Sequence, residues 1–138
     1  MSRGPGLRAQ RHGAEGEDAA VRHLTSLGYD ILARNFKTRF GEVDIVARDG
    51  ATIVYVEVKR RESSSHGSAA EFVSPAKMKR VVGAARIYAA RHGLTERLTR
   101  FDVIAIQGAS LEPIRGADRG TDRSHEKLQH HKGAFDAR

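Results

Sequence analysis

Residues 41–59 read GEVDIVARDGATIVYVEVK, and this stretch decides the fold. Two segments rich in β-branched residues that alternate in side-chain type, 43–48 and 52–59, lie on either side of Asp49-Gly50. Alternation with a period of two is typical of strands, and Asp-Gly between two such strands favours a tight turn. The stretch therefore predicts an antiparallel β-hairpin.

A two-residue turn at Asp49-Gly50 fixes which side chains share a face of the hairpin. It places Asp44 opposite Tyr55 and Glu42 opposite Glu57. One face then carries Glu42, Asp44, Val46, Ile53, Tyr55, Glu57 and Lys59. The other face is purely apolar and must face the core; it carries Val43, Ile45, Ala47, Val54, Val56 and Val58.

Three carboxylates and one ammonium group converge near the open end of this hairpin. Like charges about 4 Å apart repel by roughly 4 kcal/mol at an effective dielectric constant of 20, and Lys59 offsets only one of Glu42, Asp44 and Glu57. A proton, other cationic side chains or a divalent metal must supply the remaining compensation. Carboxylate oxygens at this spacing suit Mg²⁺ or Mn²⁺. The alternative is an ordinary solvated sheet face, which the apolar neighbours on that face disfavour.

The remaining segments predict one α/β domain over residues 13–135, preceded by a flexible basic arm over 1–12. Apolar periodicity and Gly, Ser and Pro boundaries define its elements. In chain order we expect a helix over 14–27, a strand over 29–36, the hairpin, a helix from Ser74-Pro75 to about His92, a strand over 101–106 and a closing element over 128–135. Residues 60–72 are predicted as an exposed loop, and 107–127 are polar without periodicity.

Glu17 lies on the apolar face of the first predicted helix, where a carboxylate is unusual. One interpretation is that it occupies the first turn, partly solvated near the positive end of the helix dipole. The other is that it contributes to a functional site.

The basic charge is concentrated in one part of the chain. The net charge is +7, and residues 51–100 contain 10 Lys and Arg against 4 Asp and Glu. A localised basic surface points first to a phosphate backbone, while charge that only keeps a small protein in solution is the alternative. Lys77 and Arg80 on the second helix, with the pair Arg60-Arg61, are the candidate phosphate contacts.

Composition excludes several classes of site. Cysteine is absent, which removes disulfides, thiolate metal sites and cysteine nucleophiles, and suits a reducing cytosol. The longest apolar runs have four residues, as at 53–56, and no signal-peptide core follows Met1, so we expect a cytoplasmic protein without a membrane partner. The seven histidines, His130 among them, show no metal-ligand spacing and are predicted to be structural or solvated.

An Asp followed thirteen residues later by Glu-x-Lys on adjacent antiparallel strands resembles the metal-dependent nuclease core written PD-(D/E)XK. The proline of that name is absent, since Val43 precedes Asp44. The surrounding residues resemble the bacterial YraN family over roughly 13–135. The matching motifs are Gly16-Glu17, Gly28-Tyr29, Arg34-Asn35, Gly41-Glu42-Val43-Asp44, Val56-Glu57-Val58-Lys59-x-Arg61, Val73-x-x-x-Lys77-x-x-Arg80, Arg100-Phe101-Asp102-Val103 and His130-x-x-x-Ala134-Phe135.

The resemblance implies an α/β fold with a restriction-endonuclease-like core, related to archaeal Holliday-junction resolvases. In such a core a small mixed sheet with an antiparallel hairpin is flanked by helices. The resemblance also implies metal-ligand roles for Asp44 and Glu57 and a catalytic role for Lys59. Glu17 matches a first-helix acid that joins the site in resolvase-like relatives, and Glu42 belongs to a further matching motif. The segment 107–127 is longer than the resemblance leads us to expect.

The sequence thus predicts a nucleic-acid-binding, metal-dependent endonuclease-like protein, with structure-selective cleavage as an option. In this hypothesis Asp44 and Glu57, with Glu17 and Glu42, hold one or two Mg²⁺ or Mn²⁺ ions. Lys59 orients the attacking water or neutralises developing charge. The expected partner is nucleic acid, DNA before RNA, and a homodimer is left open. Two alternatives remain: a non-catalytic module that keeps the fold and binds nucleic acid or protein, and an assembly factor whose basic surface binds an acidic protein.

Overall fold

The structure, a computed structural model, describes residues 6–61, 73–107 and 127–136, with side chains described over 16–60, 73–106 and 128–136. Within these residues the elements are α1 (Gly6–Ser26), β1 (Asp30–Thr38), β2 (Gly41–Asp49), β3 (Thr52–Arg61), α2 (Pro75–Arg91), β4 (Leu98–Gln107) and β5 (Lys127–Phe135). Residues 1–5 of the predicted arm, most of the predicted loop at 60–72 and most of the segment 107–127 lie outside them. The rest of the predicted arm, 6–12, belongs to α1 and is helical.

The strands form one five-stranded sheet in the order β1-β2-β3-β4-β5. β3 and β4 are parallel, and α2 lies on the connection between them, as a parallel pair requires. The other neighbouring pairs are antiparallel. This mixed sheet with flanking helices confirms the predicted fold class and is consistent with a restriction-endonuclease-like core.

The two helices cover opposite faces of the sheet, because alternate side chains of the central strands point to opposite sides. The α1 face is built from Ala20, Leu24, Tyr29, Ile45, Ala47, Val54, Val56, Ile104 and Ile106. The α2 face is built from Val43, Val46, Ile53, Tyr55, Val81, Val82, Ala84, Ala85, Tyr88 and Phe101. The apolar part of the hairpin's charged face, Val46, Ile53 and Tyr55, is therefore covered by α2 and is not solvated.

The turn of the hairpin differs from the prediction by one position. Asp49 pairs with Thr52, so the two turn residues are Gly50 and Ala51. Gly50 has φ +60°, the conformation that a type II′ turn needs at its first central residue. Both Asp49-Gly50 and Gly50-Ala51 fit a tight turn, and the sequence pattern does not separate them.

The shifted turn makes the predicted register wrong by two residues. Tyr55 pairs with Val46, whereas the sequence placed it opposite Asp44, and Glu42 and Glu57 are not paired. A shift of two keeps the parity of the side chains, so the assignment of residues to faces largely survives.

Val43 is the exception, because it packs on the α2 face and not with Ile45 on the α1 face. Its neighbour in β1, Phe36, packs on the same side. One residue before Phe36, Asn35 has φ +53°, a left-handed conformation that a side chain rarely adopts in a strand. The side-chain alternation of β1 and β2 is therefore reset at this level of the sheet, which is the level of Asp44.

Helix α1 begins at Gly6, earlier than the predicted start near residue 14. The segment from Leu7 to Arg11 contains residues of high intrinsic helix propensity, which allow the helix to extend toward the N-terminus. Neither of the helices in the described residues is long and apolar enough to cross a membrane.

Helix α2 begins as the sequence predicted. The Ser74 hydroxyl accepts a hydrogen bond from the Lys77 backbone N–H at 3.1 Å, and Pro75 follows the cap. This N-cap satisfies one of the amides that a helix start leaves unpaired. It also fixes the position of Lys77 in the first turn, beside β3.

Candidate active site

Counted from the hairpin turn, the last regularly paired residues of β2 and β3 are Ile45 and Val56. Asp44 and Glu57 are the next residue of each strand. Beyond this point the Val58 backbone N–H donates to Asp44 Oδ2 at 2.8 Å. A buried amide must find an acceptor when its ladder ends, and the Asp44 carboxylate supplies it. The carboxylate is thereby held between the two central strands.

Glu57 is the second acid of the site and is only 3% exposed. Its Oε1 atom lies 3.6 Å from Lys77 Nζ on α2. Its Oε2 atom is buried and has no hydrogen-bond partner among the described residues. An unpartnered buried carboxylate oxygen is costly unless it is protonated or meets a cation.

The electrostatics of the pair show that its negative charge is poorly compensated. Burial, followed by the charge of Asp44, raises the pKa of Glu57 to about 7, although Lys77 and Lys59 act in the opposite direction. Burial also raises the pKa of Asp44, against the Val58 N–H, Lys77 and a hydrogen bond with the Glu57 side chain, which lower it. Two carboxyl groups that resist ionisation at the same place are typical of sites that bind cations or carry out proton chemistry.

These residues fit a hard divalent cation. The unpartnered Oε2 of Glu57 and the Asp44 carboxylate offer hard oxygen donors, which Mg²⁺ and Mn²⁺ prefer. Mg²⁺ is commonly bound through one or two carboxylates, with water and substrate phosphate completing its coordination. Within the described ranges no group of three or more His, Asp or Glu side chains is placed to hold a metal ion. Asp44 and Glu57 are the side chains that could hold such an ion.

Glu17 lies in the interior of α1 and is buried, so its interpretation as a first-turn acid is wrong because the helix starts at Gly6. The Asn35 amide donates to Glu17 Oε2 at 2.9 Å, and Arg34 lies 3.6 Å from the same atom. Burial, then the charge of Asp44, raises the pKa of Glu17. Glu17 is thus within electrostatic reach of the pair, but its own contacts are with β1.

The other predicted site residues lie around the pair at different depths. Glu42 is half-buried and its charge raises the pKa of Asp44. Lys59 is half-buried and its charge lowers the pKa of Glu57. Arg60 is exposed, and the Arg61 side chain is outside the described part of the chain. The structure brings Lys77 closest to the acids, where the sequence had predicted a phosphate contact.

A cationic cavity of about 410 Å³ opens beside the acids. It is lined by residues 37–42, from the end of β1 and the start of β2, and by Lys77 and Arg80 of α2. The sequence analysis had picked out Lys77, Arg80 and Glu42 but missed Lys37, Arg39 and Phe40. The signal that could have found them is the basic and aromatic composition of 37–40, KTRF, between two strands.

A second polar network lies on β4 and β5 and is structural, as predicted for His130. Arg100 donates to both carboxylate oxygens of Asp102, at 2.8 and 3.0 Å. His130 Nε2 lies 2.7 Å from Asp102, and the Gly133 N–H donates to it at 3.0 Å. His130 also contacts His23 of α1 at 3.0 Å. The contacts of His130 and Gly133 join β5 to the buried carboxylate of β4, and His130 links this network to His23 of α1.

Metal is expected to stabilise the fold. Millimolar Mg²⁺ should raise the melting temperature because the bound ion relieves repulsion between Asp44 and Glu57; binding at a hundredfold excess over Kd is worth about 2.7 kcal/mol. Asp44→Asn should raise the melting temperature in EDTA, since it removes one of the two charges. Each 1 kcal/mol added to the free energy of unfolding raises the melting temperature by about 4 °C in a domain of this size.

Thermal melts of both proteins in EDTA and in Mg²⁺ check this expectation. The competing arrangement is an ion-pair network already balanced by Lys77 and Lys59. A parent protein insensitive to metal, together with a destabilised Asp44→Asn variant, would establish that network and contradict the metal site.

Comparison with known proteins places the chain among bacterial relatives. The profile of a family described as "Uncharacterised protein family UPF0102" matches residues 16–106. A "UPF0102 protein" of Anaeromyxobacter dehalogenans is 41% identical over 133 residues, covering 96% of this chain and 90% of its own length. Another, from Frankia casuarinae, is 39% identical over 123 residues, covering 89% and 94%. One from Geobacter sulfurreducens is 48% identical over 94 residues, covering 68% and 73%.

Proposed function

The chain belongs to the UPF0102 family, and we propose that this member is a metal-dependent phosphodiester hydrolase acting on nucleic acid. The observation that carries the proposal is the pair of half-buried Asp44 and buried Glu57, poorly compensated in charge, beside a cavity lined by four cationic side chains. A cation site and an anion site that adjoin each other suit a phosphodiester whose bond is cleaved at a metal. The absence of cysteine suits a reducing cytosol, where we place this activity.

The side chains have separate roles in this proposal. A divalent ion held by Asp44 and Glu57 would supply Lewis-acid activation of water and neutralise charge on the phosphate. Lys77, 3.6 Å from Glu57, would contact a non-bridging phosphate oxygen at the same centre. Lys59, whose charge also acts on Glu57, would orient the attacking water or stabilise the charge that develops on the leaving oxygen.

The cavity would position the substrate backbone. Its cations are Lys37, Arg39, Lys77 and Arg80, and Glu42 is its acid. Ammonium and guanidinium groups that meet phosphates supply most of the affinity for nucleic acid and carry no sequence information. The pair Arg60-Arg61, at the end of β3 on the same side as the β1–β2 turn, would extend this surface.

A cleavage assay over a panel of substrates tests the proposal. Single-stranded, duplex, flapped and branched DNA, with RNA counterparts, would be incubated with Mg²⁺, Mn²⁺, Ca²⁺ or EDTA. Cleavage products are expected in Mg²⁺ or Mn²⁺ and not in EDTA, because the carboxylate pair would repel a phosphate unless a cation lies between them. The panel also decides between DNA and RNA and between branched and linear substrates.

A non-catalytic binding module is the second candidate, and the contact between Lys77 and Glu57 favours it. That ion pair neutralises part of the site without metal, which would let the cavity bind phosphates with no chemistry. Tight binding of nucleic acid combined with no cleavage in any metal would select this candidate and reject the hydrolase.

A further inference from the structure

The turn between β1 and β2 presents a large aromatic side chain to solvent. Phe40 is 55% exposed, among the most exposed large apolar side chains of the described residues. Its turn is nevertheless well tied down: the Thr38 hydroxyl accepts from the backbone N–H groups of Phe40 and Gly41, both at 3.1 Å, and donates to the Gly41 carbonyl at 2.9 Å. An exposed aromatic ring on an ordered turn suggests a contact surface.

The same turn is packed against α2. A Cβ placed on Gly41 would lie 2.4 Å from the carbonyl oxygen of Arg80, a distance that no real Cβ tolerates. Only glycine therefore lets the start of β2 approach the helix this closely. The turn and α2 form one unit, so the position of Phe40 relative to Lys77 and Arg80 is fixed by the fold.

Phe40 lies beside positively charged side chains. The Arg39 guanidinium carbon lies 4.9 Å from the centre of its ring, within the range of a cation–π contact. Both residues line the cavity that also contains Lys37, Lys77 and Arg80. An aromatic face beside a cationic groove is the combination that proteins use to bind single-stranded nucleic acid, with bases stacked on rings and phosphates in the groove.

We propose that Phe40, supported by Arg39, stacks on an unpaired nucleobase next to the phosphate held in the cavity. A base inside a duplex has both faces covered by its neighbours, whereas an unpaired base offers a free face. The substrate class is then nucleic acid with unpaired nucleotides at the site: a single strand, a flap, a gap or a branch point. This inference rests on the proposed function for its nucleic-acid ligand, but its test does not require cleavage.

Binding measurements on the full chain in EDTA test the stacking contact. Fluorescence anisotropy would compare a labelled 15-nucleotide single strand, the same strand made abasic, and a duplex. Phe40→Ala is expected to weaken binding of the single strand by about tenfold, the typical effect of losing one aromatic stack. It should change binding of the abasic strand and the duplex by less than about twofold. Phe40→Trp should keep the affinity of the parent protein.

Two controls separate stacking from other effects. Leu98→Ala removes an apolar side chain that is 70% exposed, at the end of the sheet opposite to Phe40, and should change nothing. Arg80→Ala should flatten the dependence of affinity on salt by about 0.7 per lost phosphate contact on a single strand. Phe40→Ala should leave that slope unchanged, because stacking releases no counterions.

Each outcome supports or overturns the inference. Equal affinities of Phe40→Ala and Leu98→Ala for the single strand would overturn it, as would an equal loss on the abasic strand. Self-association of the parent protein that Phe40→Ala abolishes, without an effect on nucleic acid, would assign the ring to a protein contact instead. Stacking without cleavage by any metal would overturn the hydrolase proposal alone, and cleavage without a Phe40 effect would overturn this inference alone.

Discussion

Asp44→Asn and Glu57→Gln are each expected to lower the rate of Mg²⁺-dependent cleavage by on the order of 1000-fold or more. Both variants keep the size of the side chain but replace a charged metal ligand by a neutral amide. A loss of 1000-fold corresponds to about 4 kcal/mol of transition-state stabilisation, a plausible share of what a metal ion supplies to phosphoryl chemistry. Affinity for nucleic acid in EDTA should stay within about twofold, because phosphate contacts supply it.

A matched control keeps this result specific to the site. Asp30→Asn also changes a β-strand carboxylate, but Asp30 is exposed, pairs with Arg48 at 2.6 Å and lies at the other end of the sheet from Gly41. It should cleave at the rate of the parent protein. Full activity in Glu57→Gln would remove the hydrolase proposal, whatever Asp44→Asn does.

The fold could be predicted from the sequence because its signals are local. Alternating β-branched segments around a Gly turn define the hairpin, and Ser74-Pro75 marks the start of α2 by a capping mechanism that the structure reproduces. The motif pattern also predicted the family correctly, because the YraN family that it resembles is the UPF0102 family. The register of the hairpin was harder to predict, since the two adjacent dipeptides Asp49-Gly50 and Gly50-Ala51 suit the turn equally. Only the packing of the strands selects Gly50-Ala51.

The details of the site depend on contacts between residues far apart in the chain. Lys77 follows Glu57 by twenty positions, and only the docking of α2 on the sheet brings its ammonium group to the carboxylate. The reset of side-chain alternation at Asp44 depends on the left-handed backbone of Asn35, which the residue pattern does not predict. Phe40 was missed because an aromatic residue in a turn has no periodicity.

Asp102 is a second long-range feature, and its one local sign is that it is the single acid in an apolar strand. Burial would raise its pKa, but hydrogen bonds from His130, Arg100 and the Gly133 N–H outweigh that effect and lower the pKa. A carboxylate with a lowered pKa stabilises the folded state above its unfolded pKa of about 3.8, and this stabilisation is lost as pH falls through the folded value.

Asp102→Ala is therefore expected to destabilise the protein by about 3–5 kcal/mol at neutral pH. Asp102 is fully buried, and its removal leaves Arg100, His130 and the Gly133 N–H without their acceptor. Urea denaturation measures the loss as a lower midpoint at unchanged slope. Asp102→Asn, which keeps one acceptor oxygen, should lose less, so the comparison survives if the alanine variant does not fold.

The control is Asp49→Asn, which changes another carboxylate bound to Arg100. Asp49 accepts from Arg100 at 3.1 Å, but its side chain is 40% exposed. Water replaces much of what an exposed pair contributes, so its loss should be less than about 1 kcal/mol. The two variants share a partner and differ in burial.

Equal losses from Asp102→Asn and Asp49→Asn would contradict a structural network centred on Asp102. A larger loss from Asp102→Asn that holds from neutral pH down to about pH 4 and shrinks only below the unfolded pKa of about 3.8 would support it, because the parent carboxylate stays ionised in the folded state until the pH falls through its lowered pKa.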